Sequence, residues 1–228
     1  MSRILMILTS HDQLGDTDRR TGFWLEEFAA PYYVFRDAGH DITLASPKGG
    51  RPPVDPTSTL PQMQTDSTRR FEADDAAKAA LTTSTPLSEV DVSQFDAVFY
   101  PGGHGPLQDL AVDKTSGAIL AERVTAEKPL AMLCHAPAAV LAASEDASSS
   151  PFAGYKMTGF SNVEEEQVGL AEGAPWLLED KLVELGADYS SAAEPWGSHV
   201  VVDRNLYRGQ NPQSSEELAK RIVSDLGA

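Results

Sequence analysis

The stretch Lys128-Pro-Leu-Ala-Met-Leu-Cys-His-Ala-Pro-Ala-Ala-Val-Leu-Ala-Ala143 decides how this chain reads. Pro129 to Leu133 is mostly apolar and reads as a buried strand. From Ala136 the residues are small and apolar at helix-compatible spacing. Cys134 therefore falls at a strand-to-helix junction, where a sharp turn lifts one side chain to the top of a sheet and to the N-terminus of a helix. Unpaired amides and the helix dipole favour negative charge there, so a thiol so placed is expected to ionise near neutral pH and act as a nucleophile. The competing reading is a buried structural thiol. Cys134 is the single cysteine of the chain.

Working outward, Arg3 to Thr9, Asp41 to Ser46 and Phe95 to Tyr100 read as further strands, and Lys156 to Thr158 as a short one. Helices are expected over Trp24 to Ala38, Phe71 to Leu81, Lys114 to Thr125, Pro175 to Leu185 and Ser214 to Leu226. Pro47 to Arg70 reads as a long Pro- and Gly-rich excursion, and Ser144 to Ser150 as a small polar insertion. His199 to Asp203 and Asn205 to Arg208 read as a late hairpin. Strands alternating with helices predict one α/β domain over residues 1–228, a three-layer sandwich with a mainly parallel sheet covered by helices on both faces. Its functional groups should gather beyond the carboxyl ends of the strands.

At 228 residues with 41% hydrophobic content the chain can bury one large core. One cysteine excludes an intrachain disulfide and a Cys-rich metal site. The formal charge of −16 opposes binding to nucleic acid or an anionic membrane. The N-terminal apolar run is short for a signal peptide, and no run is long enough to span a bilayer, so a cytoplasmic protein is expected.

Several residues in this frame can carry chemistry. Glu27 sits in the first turn of the first helix among Phe23, Trp24, Leu25 and Phe28. Desolvation there would raise its pKa and let it share a proton with a nearby thiol. Glu26 has the same spacing. Pro101-Gly-Gly-His-Gly105 ends a strand with glycines that let the backbone approach a ligand, and its amides can form an oxyanion hole. It lacks the Lys-Ser/Thr ending of a phosphate loop. His135 flanks the Cys134 pocket, although adjacent side chains ordinarily diverge. His104 is a candidate pocket wall, and His40 and His199 read as structural. Glu164, Glu165 and Glu166 read as a solvated helix face. No zinc-type histidine spacing is present.

Gly22-Phe-Trp-Leu-Glu-Glu27, Leu44-Ala-Ser-Pro-Lys-Gly-Gly50, Pro101-Gly-Gly-His-Gly105, Ala131-Met-Leu-Cys-His-Ala-Pro137, Thr158-Gly-Phe-Ser-Asn-Val-Glu-Glu165 and Gly209-Gln-Asn-Pro212 together resemble the ThiJ/PfpI superfamily of class I glutamine-amidotransferase-like proteins. The likeness is to its heat-shock-inducible branch, which includes glutathione-independent glyoxalases (glyoxalase III, or D-lactate dehydratase). It implies a nucleophile at Cys134 with His135 beside it. It selects Glu27, four residues before Pro31, over Glu26, and puts the third acidic member at Glu165. Gly102, Gly103, His104 and Trp24 are the implied substrate- and oxyanion-binding residues. Two positions depart from the branch pattern: Ala30 stands where His is common, and Ala136 where Gly is common.

The resemblance implies a small dicarbonyl substrate, methylglyoxal or glyoxal, a homodimer, and no metal or organic cofactor. A deglycase or peptidase using the same thiol, a holdase chaperone and a cysteine-oxidation sensor are the alternatives. A glutamine amidase would need a distant His-x-Glu pair, whereas His199 is followed by Val-Val-Val.

Overall fold

β1 (Arg3–Ile7) runs through the middle of the sheet, with Ile4 to Ile7 wholly buried. The computed structural model describes residues 1–144 and 150–227. Beside β1 lie β2 (Asp41–Ser46) and β3 (Thr85–Pro86) on one side. On the other side come β4 (Ala97–Tyr100), β5 (Leu130–Leu133), β9 (Leu206–Gly209) and the edge strand β8 (Val200–Asp203). All neighbours in this 7-stranded sheet run parallel except the hairpin β8–β9. Ile4 faces Ile42 and Ala97 across the ladders, and Ala131 faces Phe99 and Tyr207. This is the mainly parallel α/β architecture that the apolar runs predict, and it is flavodoxin-like. β6 (Lys156–Met157) and β7 (Asp188–Tyr189) form a separate 2-stranded parallel pair.

The strand order reverses at β1. From there α1 (Leu25–Asp37) leads back to β2, while α4 (Lys114–Thr125) connects β4 to β5 in the opposite sense. Right-handed crossovers running in opposite directions place these helices on opposite faces. α1 packs against α2 (Asp66–Ala73) and the terminal α7 (Ser215–Leu226), and α4 packs against the segment 136–143. The short α5 (Asn162–Gln167) and α6 (Leu178–Glu184) follow β6.

Three expectations change. Ala136–Ala143 is a 3-10 helix. Pro137 brings no N–H, and Ala138 N–H bonds the His135 carbonyl at 3.0 Å in the tighter i→i+3 pattern. The helix expected over Phe71 to Leu81 is two helices, α2 and α3 (Asp75–Thr82). Asp74 ends the first and caps the second, accepting Ala77 N–H at 3.0 Å and Arg36 Nη1 at 2.7 Å. The Pro47 to Arg70 excursion is built rather than loose. Phe23 N–H bonds Pro53 O and Asp55 N–H bonds Phe23 O, both at 2.9 Å, which pins it against the entry to α1. Of the expected polar insertion, 145–149 lie outside the described residues. Among the described residues no helix is long and apolar enough to cross a membrane.

Candidate active site

The carboxyl ends of β4 and β5 and the start of α1 meet around one cavity of about 240 Å³. Cys134 follows β5 directly, with φ of +58°. Such a left-handed conformation costs a non-glycine residue about 1–2 kcal/mol. The twist has a chemical result: it swings two neighbouring side chains together, so that Cys134 Sγ lies 3.2 Å from His135 Nδ1. The divergence expected of adjacent residues is overridden by this turn.

His135 Nε2 lies 2.6 Å from Glu165 Oε2, and His104 Nε2 lies 2.6 Å from Glu165 Oε1. The two imidazoles stack with centroids 4.0 Å apart, and Phe160 covers His135 at 4.5 Å. A carboxylate that accepts from Nε2–H leaves Nδ1 of His135 as the acceptor facing the thiol. Burial would raise the Glu165 carboxyl, but the two imidazoles outweigh it and hold the group well below the usual carboxylate range. Burial and the neighbouring His104 push His135 below the ordinary histidine value.

The solvated face expected of Glu164, Glu165 and Glu166 is corrected by these contacts. Glu164 and Glu165 are buried, and only Glu166 is exposed. Glu164 closes a capping box with Ser161 at the head of α5 and holds Asn211 Nδ2 at 2.8 Å and Trp196 N–H at 2.9 Å. It anchors the helix that presents Glu165.

Glu27 is fully buried, with Oε2 accepting the Gly102 N–H at 2.9 Å. Pro31 removes the helical hydrogen bond to the Glu27 carbonyl, loosening α1 at that turn. Burial, opposed by hydrogen bonds from Cys134 and Gly102, lifts the Glu27 carboxyl from 4.5 to about 8. Burial also pushes the Cys134 thiol well above its usual value, and the Glu27 charge adds to the shift. Desolvation thus runs against the ionisation that the nearby amides favour. The Gly103 amide is aimed at the sulfur and favours its charge.

The glycines explain how close these groups come. A Cβ at Gly102 would lie 2.4 Å from Leu133 O, 2.6 Å from Glu27 Oε2 and 2.8 Å from Cys134 Cβ. Gly103, at φ +93°, packs on the Gly22 carbonyl and the Trp24 amide. Because the Gly102 amide is spent on Glu27, the Gly103 amide, already aimed at the sulfur, is the one placed to receive an oxyanion formed there.

The structure brings Trp24, Glu27, Gly103, His104, Cys134 and His135 onto the cavity wall, with Gly102 and Glu165 behind it. His40 and His199 do not line it; they bond Ser2 N–H at 3.2 Å and Ser190 Oγ at 3.1 Å. Sequence reasoning missed Arg19, Asp55, Thr57, Phe160 and Trp196, which also line the wall. Among the described residues His104, His135 and Glu165 form one group whose ligand atoms lie within 4.8 Å of one another, the composition of a metal site. Each imidazole Nε2 is already satisfied by its own carboxylate oxygen, so an entering ion would break both bonds and draw His135 from its thiol.

Residues 20–225 match the model of the DJ-1/PfpI family. The chain belongs to the DJ-1/PfpI family. Within that family it lies on the HSP31-like branch. Glyoxalase 3 of Candida albicans is 26% identical over 98% of both chains, and so is the glutathione-independent glyoxalase HSP31 of Saccharomyces cerevisiae. Among solved structures, Rapid Encystment Protein 24 KDa (REP24) of Francisella tularensis superposes with a TM-score of 0.93, at 36% identity over 100% of both chains. Glyoxalase III of Candida albicans superposes with a TM-score of 0.88 at 26% identity, over 98% of this chain and 96% of that one.

Proposed function

We propose that this protein is a glutathione-independent glyoxalase that converts methylglyoxal to D-lactate and glyoxal to glycolate through Cys134. The observation that carries the reading is the continuous relay from sulfur to imidazole to buried carboxylate, 3.2 Å and then 2.6 Å, beside a buried Glu27 that keeps its proton to about pH 8. The names of the Candida and Saccharomyces relatives support the same chemistry.

Sulfur attacks the aldehyde carbon as His135 Nδ1 takes the thiol proton, and the developing imidazolium is stabilised by Glu165. The hemithioacetal oxygen is received by the Gly103 amide and that of His135. His135 returns the thiol proton to the hemithioacetal oxygen and then takes the carbon-bound proton as the Glu27 carboxyl protonates the ketone oxygen, giving an enediol. His135 next delivers its proton to the former ketone carbon while Glu27 recovers one from the other hydroxyl, leaving a thioester. One water then hydrolyses the thioester, releasing the 2-hydroxy acid and restoring the thiol. The net change is addition of one water with an internal redox exchange between the two carbonyl carbons.

An oxidation sensor needs an exposed, readily ionised thiol. Cys134 is 4% exposed and burial pushes its thiol up, which favours the enzyme reading. The test is proton NMR of the product from methylglyoxal without glutathione. D-lactate is expected from the native protein and none from Cys134→Ala. Turnover unchanged by that substitution overturns the assignment.

A further inference from the structure

Six ionisable side chains line the cavity at Cys134: Arg19, Glu27, Asp55, His104, Cys134 and His135. Five are engaged with protein groups. Glu27 holds the Gly102 amide, both imidazoles hold Glu165, and the thiol faces His135. Asp55 Oδ1 accepts Thr57 N–H at 2.8 Å, and Oδ2 accepts the Thr21 hydroxyl at 3.0 Å. Arg19 differs. Its backbone is fixed, the N–H on Thr17 Oγ1 at 3.2 Å and the carbonyl on Leu14 N–H at 2.9 Å. Arg19 is an exposed residue of the cavity lining, and its guanidinium meets no carboxylate or carbonyl among the described residues, whereas the next residue, Arg20, is paired with Asp12.

We infer that Arg19 is a specificity-determining residue, selecting 2-oxoaldehydes that carry an anionic oxygen group, a carboxylate or a phosphate, at the end remote from the aldehyde. This deepens the glyoxalase reading and rests on it for the reacting carbon only. A guanidinium presents a planar fork of donors matched to such anions. A chain of net charge −16 repels anions in general, so one free cation in the cavity lining sets which of them enter. The cavity also has room to spare. At about 240 Å³ it is larger than the five heavy atoms of methylglyoxal need.

The test uses Cys134 as its own reporter, since the chain has no other thiol. The full-length native protein, Arg19→Gln and Arg20→Gln are alkylated with iodoacetate and with neutral iodoacetamide. In each case sulfur displaces iodide and the thiol proton passes to buffer. The iodoacetate-to-iodoacetamide rate ratio is expected to fall about tenfold in Arg19→Gln, to stay unchanged in Arg20→Gln, and to shrink with added salt in the native protein. A second measurement compares kcat/KM for a carboxylate-tailed 2-oxoaldehyde, its neutral methyl ester and a phosphate-tailed analogue. Preference for either anion over the ester, lost in Arg19→Gln, supports the assignment and says which anion is taken. A rate ratio that Arg19→Gln leaves unmoved, or that Arg20→Gln moves equally, overturns it. If the ratio moves but no 2-oxoaldehyde is turned over, the glyoxalase reading fails while the anion site stands.

Discussion

Glu27→Gln should make the protein more stable and inactive at once, with a gain that grows with pH. In the folded state Glu27 is wholly buried and holds its proton to about pH 8, against 4.5 for an ordinary glutamate. A carboxyl raised on folding contributes stability that is fully present below the unfolded value and is lost as pH rises through the folded one. That lift corresponds to a loss of about 3 kcal/mol by pH 7, approaching about 5 kcal/mol above pH 9. The substituted glutamine fills nearly the same volume, still offers an oxygen to the Gly102 amide, and does not titrate. At pH 7 the expected advantage is an increase in Tm of about 6–12 °C for a chain of this size. Thermal and urea melts of both proteins at pH 5, 7 and 8.5 measure it. The difference at pH 5 reports the altered hydrogen bonds, and the growth from pH 5 to 8.5 reports the buried charge. A difference that stays flat over that range would refute the desolvation argument, and with it the idea that Glu27 is a proton-holding group.

Other outcomes follow from the same geometry. Glu165→Gln should lower kcat by about 10²–10⁴ with the circular dichroism spectrum intact, because an amide offers one acceptor where two imidazoles each need one. The pH profile of kcat/KM should be bell-shaped. Its rising limb should lie below the ordinary histidine value of 6.5, since His135 must be neutral to take the thiol proton, and activity should fall as Glu27 ionises near 8. A single monotonic rise to pH 9 would contradict both assignments. Gly102→Ala forces a methyl within 2.4 Å of the Leu133 carbonyl and 2.6 Å of Glu27, so it should cost about 1–3 kcal/mol in urea melts and abolish turnover.

The parallel sheet was legible because its central strands are buried on both faces: runs such as Ile4 to Ile7 and Leu130 to Leu133 need no alternation to be seen. The elbow at Cys134 was legible for the same reason, since an apolar run stops there. The burial of its thiol was not. Composition shows the amides and dipole that help an anion, but not the packing that removes water. Glu165 was misread from its residues alone because three consecutive glutamates suggest solvent, although one turn of helix points them in different directions. The spacing Ser161 to Glu164 was the available signal, a capping box that fixes which way α5 begins. Asp55, Thr57 and Trp196 left no local trace, because their approach to the site depends on long-range backbone bonds such as Phe23 to Pro53.

The carboxylate of Glu165 clasps two imidazoles delivered by different stretches of chain, one after β4 and one after β5, while its own six-residue helix hangs on Glu164 and two partners further along. Such a keystone need only slip for the arch to open. Warming should therefore silence the enzyme several degrees before its sheet melts, and cooling should revive it without refolding the core.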